Sequence, residues 1–242
     1  ANTAGVTFST NAVANGKLRV SAAGALTGAG TVAVADSLVT VAGSSVTTTG
    51  MRVGGAMSVS GSFSPTQTEF FGSGTTIQGG LGYQNALVTG QVSLGGTTTF
   101  AGNLIISWIV NGPAGNLTLA GRRLNVTGDL TTGQGSAAVG LLTMQNAADT
   151  VVVGDDATFA GSPMTGALTA GVLLVGGDFS QVYVGSNWES FQASGAHRTV
   201  LNGTAAQTVS FTNPGTAGQT SFFQHLDVAN TAGVTFATNA VA

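Results

Sequence analysis

Cysteine is absent from this chain, so neither a disulfide framework nor a thiolate metal site is available to it. Charge is nearly absent too: 6 % of the 242 residues are Asp, Glu, Lys or Arg, against about a quarter in ordinary soluble domains. Lys17 is the single lysine, and the densest basic stretch is Arg122-Arg123. A net charge of −3 with no basic patch argues against nucleic acid as a partner. Long apolar runs are missing as well. The segment LIISWIVNGPAG (104–115) is interrupted by Asn and Pro well short of the ~20 residues of a membrane-spanning helix, so no membrane insertion is expected. Proline occurs four times, and no Gly-X-Y period accompanies the 38 glycines, which excludes collagen. Hydrophobic residues make up 43 %, which disfavours disorder.

What is present has a period of two. LRVSAAGALTGAGTVAVA (18–35), MRVGGAMSVSGSF (51–63), LTLAGRRLNVTGDL (117–130) and TVVVGDDATFAG (150–161) alternate apolar with small or polar residues, then break at Gly, Asn or Asp. Such runs, rich in Val and Thr, predict short strands with one buried face. The breaks share a form: apolar-x-apolar, a small residue, Gly, Asp or Asn, then an apolar residue. Gly128-Asp129, Gly154-Asp155-Asp156, Gly177-Asp178 and Gly102-Asn103 are examples, and successive copies lie roughly 22–27 residues apart, a solenoid spacing. A β-sandwich would also supply short strands and turns, but it needs no repeat at the level of a coil. The pattern predicts an all-β parallel β-helix (β-solenoid) of roughly ten coils.

A longer recurrence overlies the short one. The chain opens on ANTAGVTFSTNAVA (1–14) and closes on ANTAGVTFATNAVA (229–242), identical but for Ser9 against Ala237. Residues 1–228 therefore read as one full period of a tandem array and 229–242 as the start of the next. With strands ~4.8 Å apart, a period of ten coils advances about 50 Å. The expected partner is the sequence itself, adjacent repeats meeting end to end and rods bundling laterally.

The segments HRTVLNGTAAQTVSF (197–211), FFQHLDVANTAGVTF (222–236) and NAVANGKLRVSAAGALTGAG (11–30) resemble coils of the bacterial "β-strand repeat" proteins. More loosely, they resemble filamentous-haemagglutinin-like adhesins. The match covers about a third of the period. The resemblance implies a right-handed parallel β-helix on an exported, very long polypeptide, hence an extracellular or cell-surface location. Such coil motifs specify architecture better than function; taken with the tandem recurrence, the expected role is a fibre, stalk or sheath, with an adhesin shaft for glycans or surfaces as the alternative.

Catalytic constellations are not found, and neither a cofactor nor an enzymatic activity is expected. His197 and His225 lie about one coil apart without a zinc-like pattern. Asp155 and Asp156, with Asp129 and Asp178 at related corners, read as turn formers or as a weak calcium site. Tyr183, Trp188, Phe191 and His197 concentrate in VYVGSNWESFQASGAH (182–197). They are either an exposed surface for glycan or a neighbouring filament, or the filling of a wider coil. The threonine runs at 47–49, 97–99 and 131–132 raise the idea of a flat ice-binding array, but they lack the T-x-T recurrence at every coil that such a face demands; outward threonines are otherwise ordinary on strands.

Overall fold

The computed structural model describes residues 5–108, 114–134, 139–185 and 188–242. Among them there is no helix, and the strand ladders are parallel throughout. No helix is long and apolar enough to cross a membrane. The chain winds as a parallel β-solenoid whose coils each contribute up to three strands, one to each of three faces.

The second face is continuous. It runs from Ala12–Ala14 through 31–34 and 50–53 to Gln67–Phe70, Asn85–Val88, Leu104–Ile106, Leu130–Thr132, Ala157–Phe159, Phe179–Gln181, Gln207–Phe211 and Val234–Phe236. The coils are uneven: partners on this face are separated by 17 residues at Met51 and Thr68 and by 30 at Phe179 and Val209. The first face begins with Val6–Thr7, 25–28, 45–48 and Ser62–Phe63. After an interruption it resumes from Gly82–Tyr83 to His225–Val228. The third face holds Leu18–Val20, Leu38–Thr40 and Met57–Val59, then Ser73–Ile77 to Gly140–Thr143, and continues as single bridges through Leu168 and Ala193 and from Gln192 to Phe222.

Period-two alternation explains why each face holds. On the second face Val34, Val53, Phe70, Val88, Ile106, Thr132, Phe159, Gln181 and Phe211 occupy one inward column, all essentially without exposure. Outward neighbours are mostly small or polar, Leu87 and Ile105 excepted. The threonine runs obey the same rule: Thr48 and Thr98 are buried while Thr47, Thr49, Thr97 and Thr99 are exposed, and outward Thr99 is flanked in register by Gly82 and Asn125, so the 97–99 run does not recur from coil to coil.

Side chains mend the two interruptions. Between Met57–Val59 and Ser73–Ile77 the Gln78 carboxamide acts as a substitute strand. Its Nε2 donates to the Val59 carbonyl at 2.8 Å and its Oε1 accepts the Val59 N–H at 2.7 Å. On the first face Tyr83 fills the gap. Its ring lies 5.6 Å from that of Phe63, and its hydroxyl donates to the Gln78 carbonyl at 2.9 Å. Burial pushes the Tyr83 phenol far above its ordinary pKa, which suits a permanent donor. Tight corners in the short coils need glycine: a Cβ on Gly72 would fall 1.5 Å from the Gly54 carbonyl oxygen.

Not every inward position is apolar. The hydroxyls of Thr68, Thr75, Thr132 and Thr199 are buried and find no hydrogen-bond partner among the described residues. An unpaired buried hydroxyl costs about 1–3 kcal/mol, and valine has nearly the same shape. Thr132→Val is therefore expected to stabilise the protein by roughly 1 kcal/mol, read as a higher urea midpoint.

Candidate functional site

The Gly-Asp/Asn corners form one structure. Each carboxamide or carboxylate reaches up one coil and accepts the N–H of its counterpart. Asn85 Oδ1 takes Asn103 N–H at 2.9 Å, Asn103 Oδ1 takes Asp129 N–H at 3.0 Å, and Asp129 Oδ1 takes Asp156 N–H at 3.2 Å. Asp156 Oδ1 then takes Asp178 N–H at 2.7 Å, and Asp178 Oδ1 takes Thr208 N–H at 2.7 Å. Every member immediately precedes an inward residue of the second face (Ala86, Leu104, Leu130, Ala157, Phe179, Val209). The ladder thus closes the corner between the first and second faces, where the turning backbone leaves N–H groups unpaired.

Asp155 and Asp156 meet Asp129 here, one carboxylate oxygen of each lying within 4.8 Å of the others. Asp155 and Asp156 are exposed. Three hard oxygens are of the kind calcium takes, but calcium uses six to eight, and Asp129 and Asp156 each already commit one oxygen to the backbone. Asp156→Ala is expected to cost about 1 kcal/mol through the lost Asp178 N–H bond. Asp156→Asn, which keeps Oδ1, should restore most of it. Denaturant midpoints of the two variants check this.

The aromatic segment is divided between surface and core. Tyr183 and Trp188 pack against each other at the surface with ring centroids 4.3 Å apart, planes tilted by 33°, and 38 % exposure each. Phe191 and His197 are fully buried, so the four residues do not form one surface. Phe191 packs 4.7 Å from Phe159, 4.8 Å from Phe179 and 5.5 Å from Phe223, which makes it the filling of a wide coil. The excursion from Val182 to Gln192 is anchored by Gln181. This buried side chain donates to Ser190 Oγ at 2.8 Å and accepts the N–H groups of Thr212 at 3.2 Å and Asn213 at 3.1 Å. The Trp188 carbonyl is held by Asn213 Nδ2 at 3.1 Å and Ser221 Oγ at 3.0 Å. The aromatic pair thus sits on a braced support at the corner between the second and third faces.

His197 and His225 do not stack at equivalent positions, since His225 pairs in register with Arg198. His225 is exposed, whereas both ring nitrogens of His197 lie in the core without a hydrogen-bond partner. Burial first, and then the nearby His225, lower the His197 pKa from 6.5 to about 4. The imidazole is thus held neutral, enclosed beside the Phe191 ring 6.0 Å away.

Sequence reasoning missed the polar residues that brace the coils, Gln78, Gln181 and Gln207. Gln207 accepts Gly203 N–H at 3.0 Å and donates to the Val175 carbonyl at 3.0 Å. Their signal was a glutamine at or beside an inward position, where an apolar residue is expected. Also missed was the outward ion pair of Arg52 with Glu69 (2.7 and 3.1 Å), to which Thr89 Oγ1 adds a 2.9 Å bond. Comparison with protein-family models, with curated proteins and with solved structures finds no match for this chain.

Proposed function

We propose that this chain is a structural segment of an extracellular fibre, stalk or sheath built by stacking tandem β-solenoid repeats. The observation that carries the reading is the near-literal recurrence of residues 1–14 at 229–242, at opposite ends of an unbroken second-face ladder. A recurring end segment lets one ladder pass from repeat to repeat. The resemblance to β-strand repeat proteins and adhesins supports the exported setting. The mechanism is mechanical: hydrogen bonds run along the rod, apolar and aromatic side chains stack inside, and there is little charge to titrate. Electron microscopy of the native full-length protein tests this. Continuous thin filaments with an axial repeat of about 50 Å are expected, and isolated globular particles would refute it.

A second reading has its own observation. The Tyr183–Trp188 pair, packed ring against ring and part-exposed on a braced corner, has the form of a platform for a sugar ring, as an adhesin shaft requires. Oligosaccharide titration followed by Trp fluorescence checks it, with Trp188→Ala as the control; no difference between the two proteins would dispose of the platform.

A further inference from the structure

We propose that consecutive copies of this sequence stack with each copy turned by one face about the rod axis, the second face of one copy continuing as the first face of the next. The inference rests on the tandem-rod reading above, and the interacting surface is the terminal coil against the following copy of the same sequence.

Two recurring segments establish the step. In the first copy Val6–Thr7 pairs with Leu26 and Thr27 on the first face. Their counterparts in Val234–Phe236 pair with Gln207, Thr208 and Val209. That ladder traces back through Phe179, Leu130 and Met51 to Ala12, so it belongs to the second face. The other segment moves the same way. Ala12–Ala14 lies on the second face, whereas in the counterpart 240–242 the Val241 carbonyl accepts the Phe223 N–H at 2.9 Å. Phe223 follows Phe222, a member of the third face. Between the copies the chain therefore completes ten coils and one additional face.

Side-chain direction survives the step. Val6 pairs with buried Leu26 and Val234 with buried Gln207, so both point inward. A one-residue slip would have reversed every side chain; a one-face turn reverses none. The terminal coil also shows what is to be covered. The inward Val228 and Phe236 are 53 % and 45 % exposed, while Leu201 and Val209, one coil below, have no exposure. Beside them lies a groove of ≈ 770 Å³ lined by Phe223, Leu226, Phe236 and the 237–242 segment. The first copy shows its occupant: Leu26 covers Val6, so the following copy's equivalent of Leu26 covers Val234. The strand equivalent to Leu18–Val20 then falls on the first face, over Leu226 and Val228.

The consequence concerns display. The Tyr183–Trp188 corner, which recurs about every 50 Å, moves to the next edge of the rod with each repeat, and three repeats restore its orientation. A rod so built presents its aromatic pairs on all sides instead of along one edge.

Cryo-electron microscopy of the native filament tests the step when each face is traced along its ladder, independent of smooth twist. Aromatic corners that advance one face per repeat are expected. Filaments whose aromatic corners all stay on one edge would overturn this inference and leave the rod reading intact; absence of filaments would overturn the rod reading. A second measurement uses the chain itself, which has no native cysteine to interfere. Thr208→Cys with Thr235→Cys should close a disulfide almost completely, because these residues are in register on the second face. Val200→Cys with Thr235→Cys should not; bonding of the latter pair instead would place 234–236 on the first face and sink the proposal.

Discussion

Lowering the pH from 7 to 4 is expected to remove roughly 3 kcal/mol of folding stability through His197 alone. The sign follows from the direction of the shift. Burial holds the folded-state pKa at about 4, below the ordinary 6.5, so between these values the unfolded chain binds a proton that the folded chain refuses. The stability from keeping the ring neutral is fully present above pH 6.5 and is lost progressively as pH falls toward 4. The titratable group that acts on the ring is the nearby His225, itself exposed, while the adjacent Arg198 turns outward to Asp227. His197→Leu removes the titration and two unsatisfied ring nitrogens together. The variant should have a higher denaturant midpoint at pH 7 and a flatter profile between pH 6.5 and 4.5, where carboxylate titration in both proteins cancels in the difference. A parallel profile in the two proteins would contradict the assignment of a neutral, enclosed imidazole.

Phe179→Ala is expected to cost about 3–5 kcal/mol. Phe179 is the centre of the largest aromatic cluster: its ring lies 5.5 Å from Phe159 below and 5.5 Å from Phe211 above, both stacked, with Phe191 at 4.8 Å and Phe223 at 4.9 Å. Those neighbours come from three coils and two faces, so the void left by truncation cannot close by moving one strand. Trp188→Ala, at the surface end of the same excursion, should change stability by under about 1 kcal/mol, the surface regime. The contrast between the two, measured by chemical unfolding, separates the aromatic filling of the wide coil from the aromatic pair displayed on it.

How far the sequence revealed these features depended on whether they obey the two-residue alternation. The solenoid, its coil count and the role of the Gly-Asp/Asn corners were legible because each corner carries its own turn residue directly before an inward apolar position. Asp129, Asp156 and Asp178 needed only that local reading, although their mutual bonding through the N–H of the next coil is a property of stacking. The aromatic excursion was legible only as alternatives, since 182–197 alternates too weakly to show which ring turns inward. His197 carried an overlooked signal: Thr199 faces inward and Arg198 outward, and one more step of the same alternation puts His197 in the core. The one-face turn between copies was beyond reach. With coils from 17 to 30 residues, 228 residues do not fix a number of faces until each strand is seated against its neighbour.

X-ray diffraction from oriented filaments of the native protein tests the central claim most directly, that one hydrogen-bonded ladder runs along the rod through successive repeats. The account predicts a meridional reflection near 4.8 Å from strands lying across the axis, with a low-angle axial series indexing on about 50 Å. A 4.8 Å reflection on the equator, or an axial series without any 4.8 Å meridional arc, would mean that the ladders do not follow the rod, and the solenoid fibre would be wrong.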